Sequence, residues 1–115
     1  MKRLAATALL ATAATATACV PPPAPQTCAQ AVDRIWPASS RSWAHRIVWR
    51  ESRGDTTAVN PRSGTSGCAQ LSPVHARRFT KLGYSWKKDR FDPVANIRVA
   101  FDLYREQGAR PWRVS

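Results

Sequence analysis

The chain has 115 residues, with Lys+Arg 18 against Asp+Glu 7 and a formal charge of +11. That length allows one small domain and excludes a multi-domain enzyme. An apolar content of 43% with five Trp is enough for a core, so general disorder is not expected, and so basic a balance makes nucleic acid a partner to be tested.

Met1-Lys2-Arg3 is a short positive start, and residues 4–18 are an uncharged run rich in Ala, Leu and Thr. The run is too short and too Thr-rich to span a bilayer, and residues 1–18 read as an export signal. Ala16-Thr17-Ala18 followed by Cys19 fits simple secretion and also an imperfect lipobox, with Ala16 where Leu is usual; in the second case Cys19 is acylated. Removing the signal takes away two positive charges and leaves +9. Residues 19–27 contain Pro21, Pro22, Pro23 and Pro25, which forbid a helix interior and make a semi-rigid tether. The folded domain is expected over 28–115.

With Cys19 at the processing site, Cys28 and Cys68 remain as a pair. Export permits a disulfide between them, and closing a loop of about 40 residues would stabilise by about 4 kcal/mol on the chain-entropy model. Two buried free thiols are the alternative. No Cys-x-x-Cys and no His-rich cluster occurs, so neither a metal nor any other cofactor is expected.

The domain reads as three or four helices. Residues 29–36 form a short candidate ended by Pro37. Residues 40–53 form the next, with Ser39 or Ser40 as N-cap and Gly54 as the stop. Ser72-Pro73 is a cap followed by Pro at the first helical position, opening a helix that ends at Gly83. Asp92-Pro93 repeats the device for a helix running to Gly108, with Val94, Ile97, Phe101 and Tyr104 at helical spacing. No segment alternates long enough to demand a strand. The fold class is all-α, or mostly α with a small irregular insert around residues 60–69 after the second helix.

That second helix carries a misplaced acid. With Glu51 at the origin and about 100° per residue, Ala44 falls at about +20°, Ile47 at about −40° and Val48 at about +60°. Glu51 therefore lies on the axis of the apolar face, near the negative end of the helix dipole. Both circumstances favour a protonated carboxyl, the form a general acid requires. The competing reading from position alone is an internal salt bridge with one of the thirteen arginines beyond residue 18.

The residues around it break the tie. Glu51-Ser52, Gly54-Asp55, Ala58-Val59-Asn60, Gly64, Gly67, Gln70 and Pro73 together resemble the soluble lytic transglycosylase domain, a relative of goose-type lysozyme. Asp92-Pro93, Asn96-Ile97 and Leu103-Tyr104 are similar to that family's last helix, and Pro111-Trp112 to an ending of its short members. Resuscitation-promoting factors are related small secreted proteins with the same lysozyme-like fold. The resemblance spans about residues 44–112.

It implies a lysozyme-like helical domain that cleaves the bond between N-acetylmuramic acid and N-acetylglucosamine in peptidoglycan. Glu51 would be the single catalytic acid/base, Gln70 would bind substrate near the cleaved bond, and Ser52 and Asn60 would contribute cleft contacts. Tyr104 would correspond to a late active-site Tyr. The sequence departs from the pattern at Cys68 and Ala69, where bulky apolar residues are usual, and at Ser72, where Met is common. These changes would open or reshape the cleft floor.

A hydrolase of the two-acid type needs a second carboxylate about 5–9.5 Å from the first. Asp55 is nearest in sequence but reads as a loop or capping residue, and Asp92 as an N-cap, so lyase chemistry is favoured. A non-catalytic glycan-binding module on the same scaffold is the other alternative. His45 and His75 lack a local partner and read as structural or surface residues. Trp49 is the one Trp that the helical wheel turns away from the apolar stripe. The basic runs Arg77-Arg78 and Lys87-Lys88 fit anionic cell-envelope polymers or lipids better than nucleic acid in an exported protein. A monomer at the cell envelope or outside the cell is expected.

Overall fold

The computed structural model describes residues 20–113. The expected signal at 1–18 and the processing site at Cys19 lie outside the described residues. The elements are α1 (Cys28–Ile35), α2 (Ala38–Ser52), a 3-10 turn (Pro73–His75), α3 (Ala76–Lys81), α4 (Trp86–Asp89), α5 (Pro93–Gln107) and a closing 3-10 turn (Arg110–Trp112). Among the described residues there is no strand, only isolated bridges pairing Ser66 with Val59 and with Leu71. The expected all-α class with an irregular insert is observed. No helix among the described residues is long and apolar enough to cross a membrane.

Local chemistry explains most helix ends. Thr27 and Gln30 form a capping box, so α1 begins at Cys28 rather than Ala29. Ser72 accepts from Val74 N and Asp92 from Ala95 N, each followed by Pro at the first helical position, as expected. The α2 start differs from expectation. Pro37 is its N-cap and no side chain caps it, while Ser39 and Ser40 lie inside the first turn. The α2 stop is also one residue early, at Arg53 in the left-handed region (φ 56°), with Gly54 following it.

The segment expected as one helix from Pro73 to Gly83 is a 3-10 turn merging into the short α3, and α4 was not expected at all. Four residues carry too little periodicity to register, although Ser85 caps α4 by accepting from Lys88 N.

The helix α5 is the centre of the molecule. It packs most extensively on α1 and also touches α3 and the closing turn. The stripe expected from Val94, Ile97, Phe101 and Tyr104 is only one edge of its buried arc. Pro93, Ala95, Asn96, Ile97, Val99, Ala100 and Leu103 are the buried residues, because the helix is covered from several sides. Ala31, Val32, Ala44, Ile47, Val48, Leu71 and Phe79 complete the core around it. Arg78 on α3 ties down the exposed side, reaching Asp102 at 2.7 Å and Glu106 at 2.8 Å on α5.

The irregular insert turns inward at residues 66–71 and is held there from three directions. Cys28 on α1 forms a disulfide with Cys68, with Cα atoms 5.6 Å apart. The fully buried Asn96 side chain donates to Ser66 O (3.0 Å) and Arg90 O (2.9 Å) and accepts from Ala69 N (2.9 Å). The Trp112 indole donates to Ala69 O at 3.0 Å. A buried loop is tolerable only when its backbone groups are satisfied in this way.

Before α1, Pro25 is buried and the Arg34 guanidinium donates to Pro23 O at 3.1 Å, so the proline-rich segment lies along α1. His45 has a partner that its sequence neighbourhood does not contain. Its Nε2 lies 2.7 Å from Asp33 Oδ1 on α1, twelve residues upstream.

The loop anchor makes a sharp prediction. A Cβ on Gly67, whose φ is 78°, would lie 2.3 Å from Asn96 Nδ2 and 2.4 Å from Arg90 O. Gly67→Ala is therefore expected to destabilise by more than about 3 kcal/mol, seen as a fall of more than about 10 °C in the thermal midpoint by circular dichroism. Reducing the disulfide is expected to lower the midpoint through a loss of up to about 4 kcal/mol.

Candidate active site

Glu51 occupies the last turn of α2, one residue before the helix ends at Ser52. Ala44, Ile47 and Val48 are buried as the helical wheel requires, and Glu51 itself is half-turned to solvent, with 25% of its side chain exposed. It faces an open cleft of about 600 Å³ lined by residues 50–53 at the end of α2, by Ala58–Arg62 and by Gln70. One wall is thus a helix end and the other is the irregular insert.

Each expected site residue has a definite position. Ser52 is buried at the cleft margin. Its hydroxyl donates to Val48 O (3.1 Å) and accepts from Gly54 N (3.2 Å), so it finishes the helix. Asn60 is exposed at the cleft, with Oδ1 accepting from Arg62 N at 2.9 Å in an Asx turn. Gln70 sits at φ 51°, which turns its side chain out of a buried segment toward the cleft lining. Both ends of its amide are engaged: Oε1 accepts from Thr65 Oγ1 (3.0 Å) and Nε2 donates to Ala58 O (2.9 Å) and Gly67 O (3.1 Å). Gln70 is therefore the clasp that holds the cleft wall in shape.

Tyr104 is elsewhere. It does not line the cleft and belongs to an aromatic cluster, 4.7 Å from the Trp43 ring and 5.6 Å from the Trp36 ring by centroids. Cys68 and Ala69 also differ from expectation. Both are buried in the core, held by the disulfide and by Asn96, and neither is among the cleft-lining residues. Ser72 is taken up as the cap of the 3-10 turn.

The structure also supplies an ion pair that sequence position had left open. Arg50 Nη2 and Nε donate to Glu51 Oε2 at 2.9 and 3.1 Å. The same guanidinium donates to the Trp112 carbonyl, so the closing 3-10 turn is linked to the candidate acid through one side chain. Arg53 and Arg62 line the cleft as well. Nothing local in the sequence singles out these three from the thirteen arginines beyond residue 18, because charged residues at a helix end or in a loop ordinarily mark solvent.

Asp55 does not provide a second acid in the cleft. Its Oδ1 accepts from Thr57 N and Thr57 Oγ1, both at 2.9 Å, and these bonds hold its carboxyl below the usual range. Among the described residues Glu51 is the one acid lining the cleft. Also among the described residues, no three His, Cys, Asp or Glu side chains come together as a metal site would require. Trp49 is 59% exposed, with the Arg53 guanidinium 5.3 Å from its ring centroid.

Comparison with protein families finds a match to the transglycosylase SLT domain over residues 36–110. Comparison with curated proteins and with solved structures finds no match. The match covers about two thirds of the chain and takes in Glu51, the whole irregular insert and all of α5, so the chain belongs to the transglycosylase SLT domain family.

Proposed function

We propose that this protein is a peptidoglycan lytic transglycosylase that cleaves the glycosidic bond between N-acetylmuramic acid and N-acetylglucosamine, with Glu51 as its single acid/base. The observation that carries the reading is the cleft itself: one carboxyl at a helix end, with no second acid among its lining residues. A two-acid glycosidase would need a partner carboxylate across the cleft. A transglycosylase does not, because the substrate brings its own nucleophile.

In the proposed reaction the protonated Glu51 carboxyl gives its proton to the glycosidic oxygen, and N-acetylglucosamine leaves with a free 4-hydroxyl. The muramoyl C6 hydroxyl attacks C1 from within the same sugar and passes its proton to the Glu51 carboxylate. An anhydro ring forms, no water is consumed and the acid is regenerated. The intramolecular nucleophile gains an effective concentration of roughly 10⁵–10⁸ M, which is why one residue suffices. Both Arg50 donors fall on Oε2, so Oε1 is the oxygen free to carry the proton, and Oε2 can go on accepting from the guanidinium in the protonated carboxyl.

Binding of peptidoglycan strands fits an export signal at residues 1–18 and an envelope or extracellular location, either freely secreted or acylated at Cys19. Anionic wall polymers or lipids would suit the surplus of basic residues, and nucleic acid is not part of the proposal. A second reading, a glycan-binding module without turnover, draws support from the Arg50–Glu51 pair and from the internal bonds that occupy both ends of the Gln70 amide.

Digestion of purified cell wall with mass spectrometry of the products separates these readings. Anhydro-muropeptides are expected, falling about 10²–10⁴-fold in Glu51→Gln. Hydrated reducing ends would identify a lysozyme, and wall binding without any released fragment would select the binding module. Thermal melts make the companion test. Glu51→Gln breaks only a solvent-facing ion pair and is expected to change stability by less than about 1 kcal/mol. Gln70→Ala removes three internal hydrogen bonds and is expected to lose about 1–3 kcal/mol.

A further inference from the structure

The charge of the cleft is uneven. Three arginines line it against one acid. Arg50 is engaged by Glu51 and the Trp112 carbonyl. Arg53 and Arg62 are exposed and have no carboxylate within ion-pair distance among the described residues. The chain does pair an arginine doubly where it serves the fold, as Arg78 shows with Asp102 and Glu106. The two unpaired arginines belong instead to the two walls of one cleft, Arg53 at the α2 end and Arg62 on the insert, and the Arg53 guanidinium lies over the Trp49 ring at the cleft edge of α2.

Arg53 is held there against local preference. Its φ of 56° is a left-handed conformation, which costs about 1–2 kcal/mol for a residue with a Cβ and is ordinarily given to glycine at a helix end. A glycine stands one position later, at Gly54. Strain of this kind gathers at functional sites. The Trp49 ring beneath its guanidinium limits the orientations of the side chain. On the opposite wall, the Asn60 Asx turn fixes the Arg62 backbone.

We infer that the cleft selects glycan strands bearing free carboxylates near the scissile bond, and that Arg53 and Arg62 recognise them. The inference rests on the peptidoglycan reading. A guanidinium presents parallel N–H donors that match a carboxylate, whereas an amide offers a single neutral acceptor oxygen. Peptidoglycan offers the carboxylate from two sources: unamidated stem peptides, and the lactyl group of muramic acid once its peptide has been removed.

The test is binding rather than turnover. Glu51→Gln protein is titrated by fluorescence anisotropy with three labelled soluble strands: amidated stems, free-carboxyl stems, and peptide-stripped strands with free lactyl groups. Carboxylate-bearing strands are expected to bind about tenfold more tightly than amidated ones, with the advantage shrinking as salt rises. A preference for free-carboxyl stems assigns the peptide source, and one for stripped strands the lactyl source. In the same background, Arg53→Gln with Arg62→Gln is expected to bring the preference close to one, and the double Lys variant to retain part of it. Equal binding of all three strands, or a preference that survives in the double Gln variant, overturns the selection and leaves the peptidoglycan reading standing. Absence of binding to every strand overturns both.

Discussion

The carboxamide of Asn96 is the interaction on which the rest of this structure depends. It is fully buried in the first turn of α5 and reaches two carbonyls and one backbone N–H across the insert and the chain before α5. A buried amide left without partners would cost about 1–3 kcal/mol, so its position is tolerable only if the insert comes to meet it. That requirement leaves no room beside it, and Gly67 is the residue that makes the approach possible. The insert is thereby a built wall with its backbone groups accounted for, rather than a loop lying on a surface.

The other attachments act on the same few residues. The disulfide joins Cys68 to α1, and the Trp112 indole joins Ala69 to the end of the chain. A domain of this size has a modest core, and such staples supply what burial alone does not. With residues 66–69 held, the left-handed Gln70 turns its side chain to the cleft and closes the wall through Thr65, Ala58 and Gly67. Core and cleft are consecutive stretches of one segment, so core stability and cleft shape are coupled.

The other wall follows from the way α2 ends. Its apolar face carries Glu51 out to the last turn, and the helix stops in a strained arginine rather than in the glycine beside it. Arg50 links the acid to the closing 3-10 turn, so the last described residues help to shape a site sixty positions upstream. Three arginines and one acid line the cleft, which leaves it with an excess of positive charge.

Local rules made much of this legible. The Ser72-Pro73 and Asp92-Pro93 starts, the Gly108 stop, the Ala44–Ile47–Val48 stripe with Glu51 on its axis and the exposure of Trp49 all rest on neighbours within one or two helical turns. Family resemblance brought Gln70 to the cleft in the same way. What the sequence could not show were contacts between distant positions: Asn96 with Ser66 and Ala69, His45 with Asp33, the Arg50 guanidinium with Trp112, and Tyr104 in an aromatic cluster instead of the cleft. The inward course of Cys68 and Ala69 belongs with these. Helix periodicity and capping are settled by residues three or four apart, so the sequence by itself determined the bodies of α1, α2 and α5 and the place of Glu51 on the apolar face of α2. Which side chains satisfy a buried backbone thirty or sixty positions away depends on how those helices pack, and only the tertiary structure decided that.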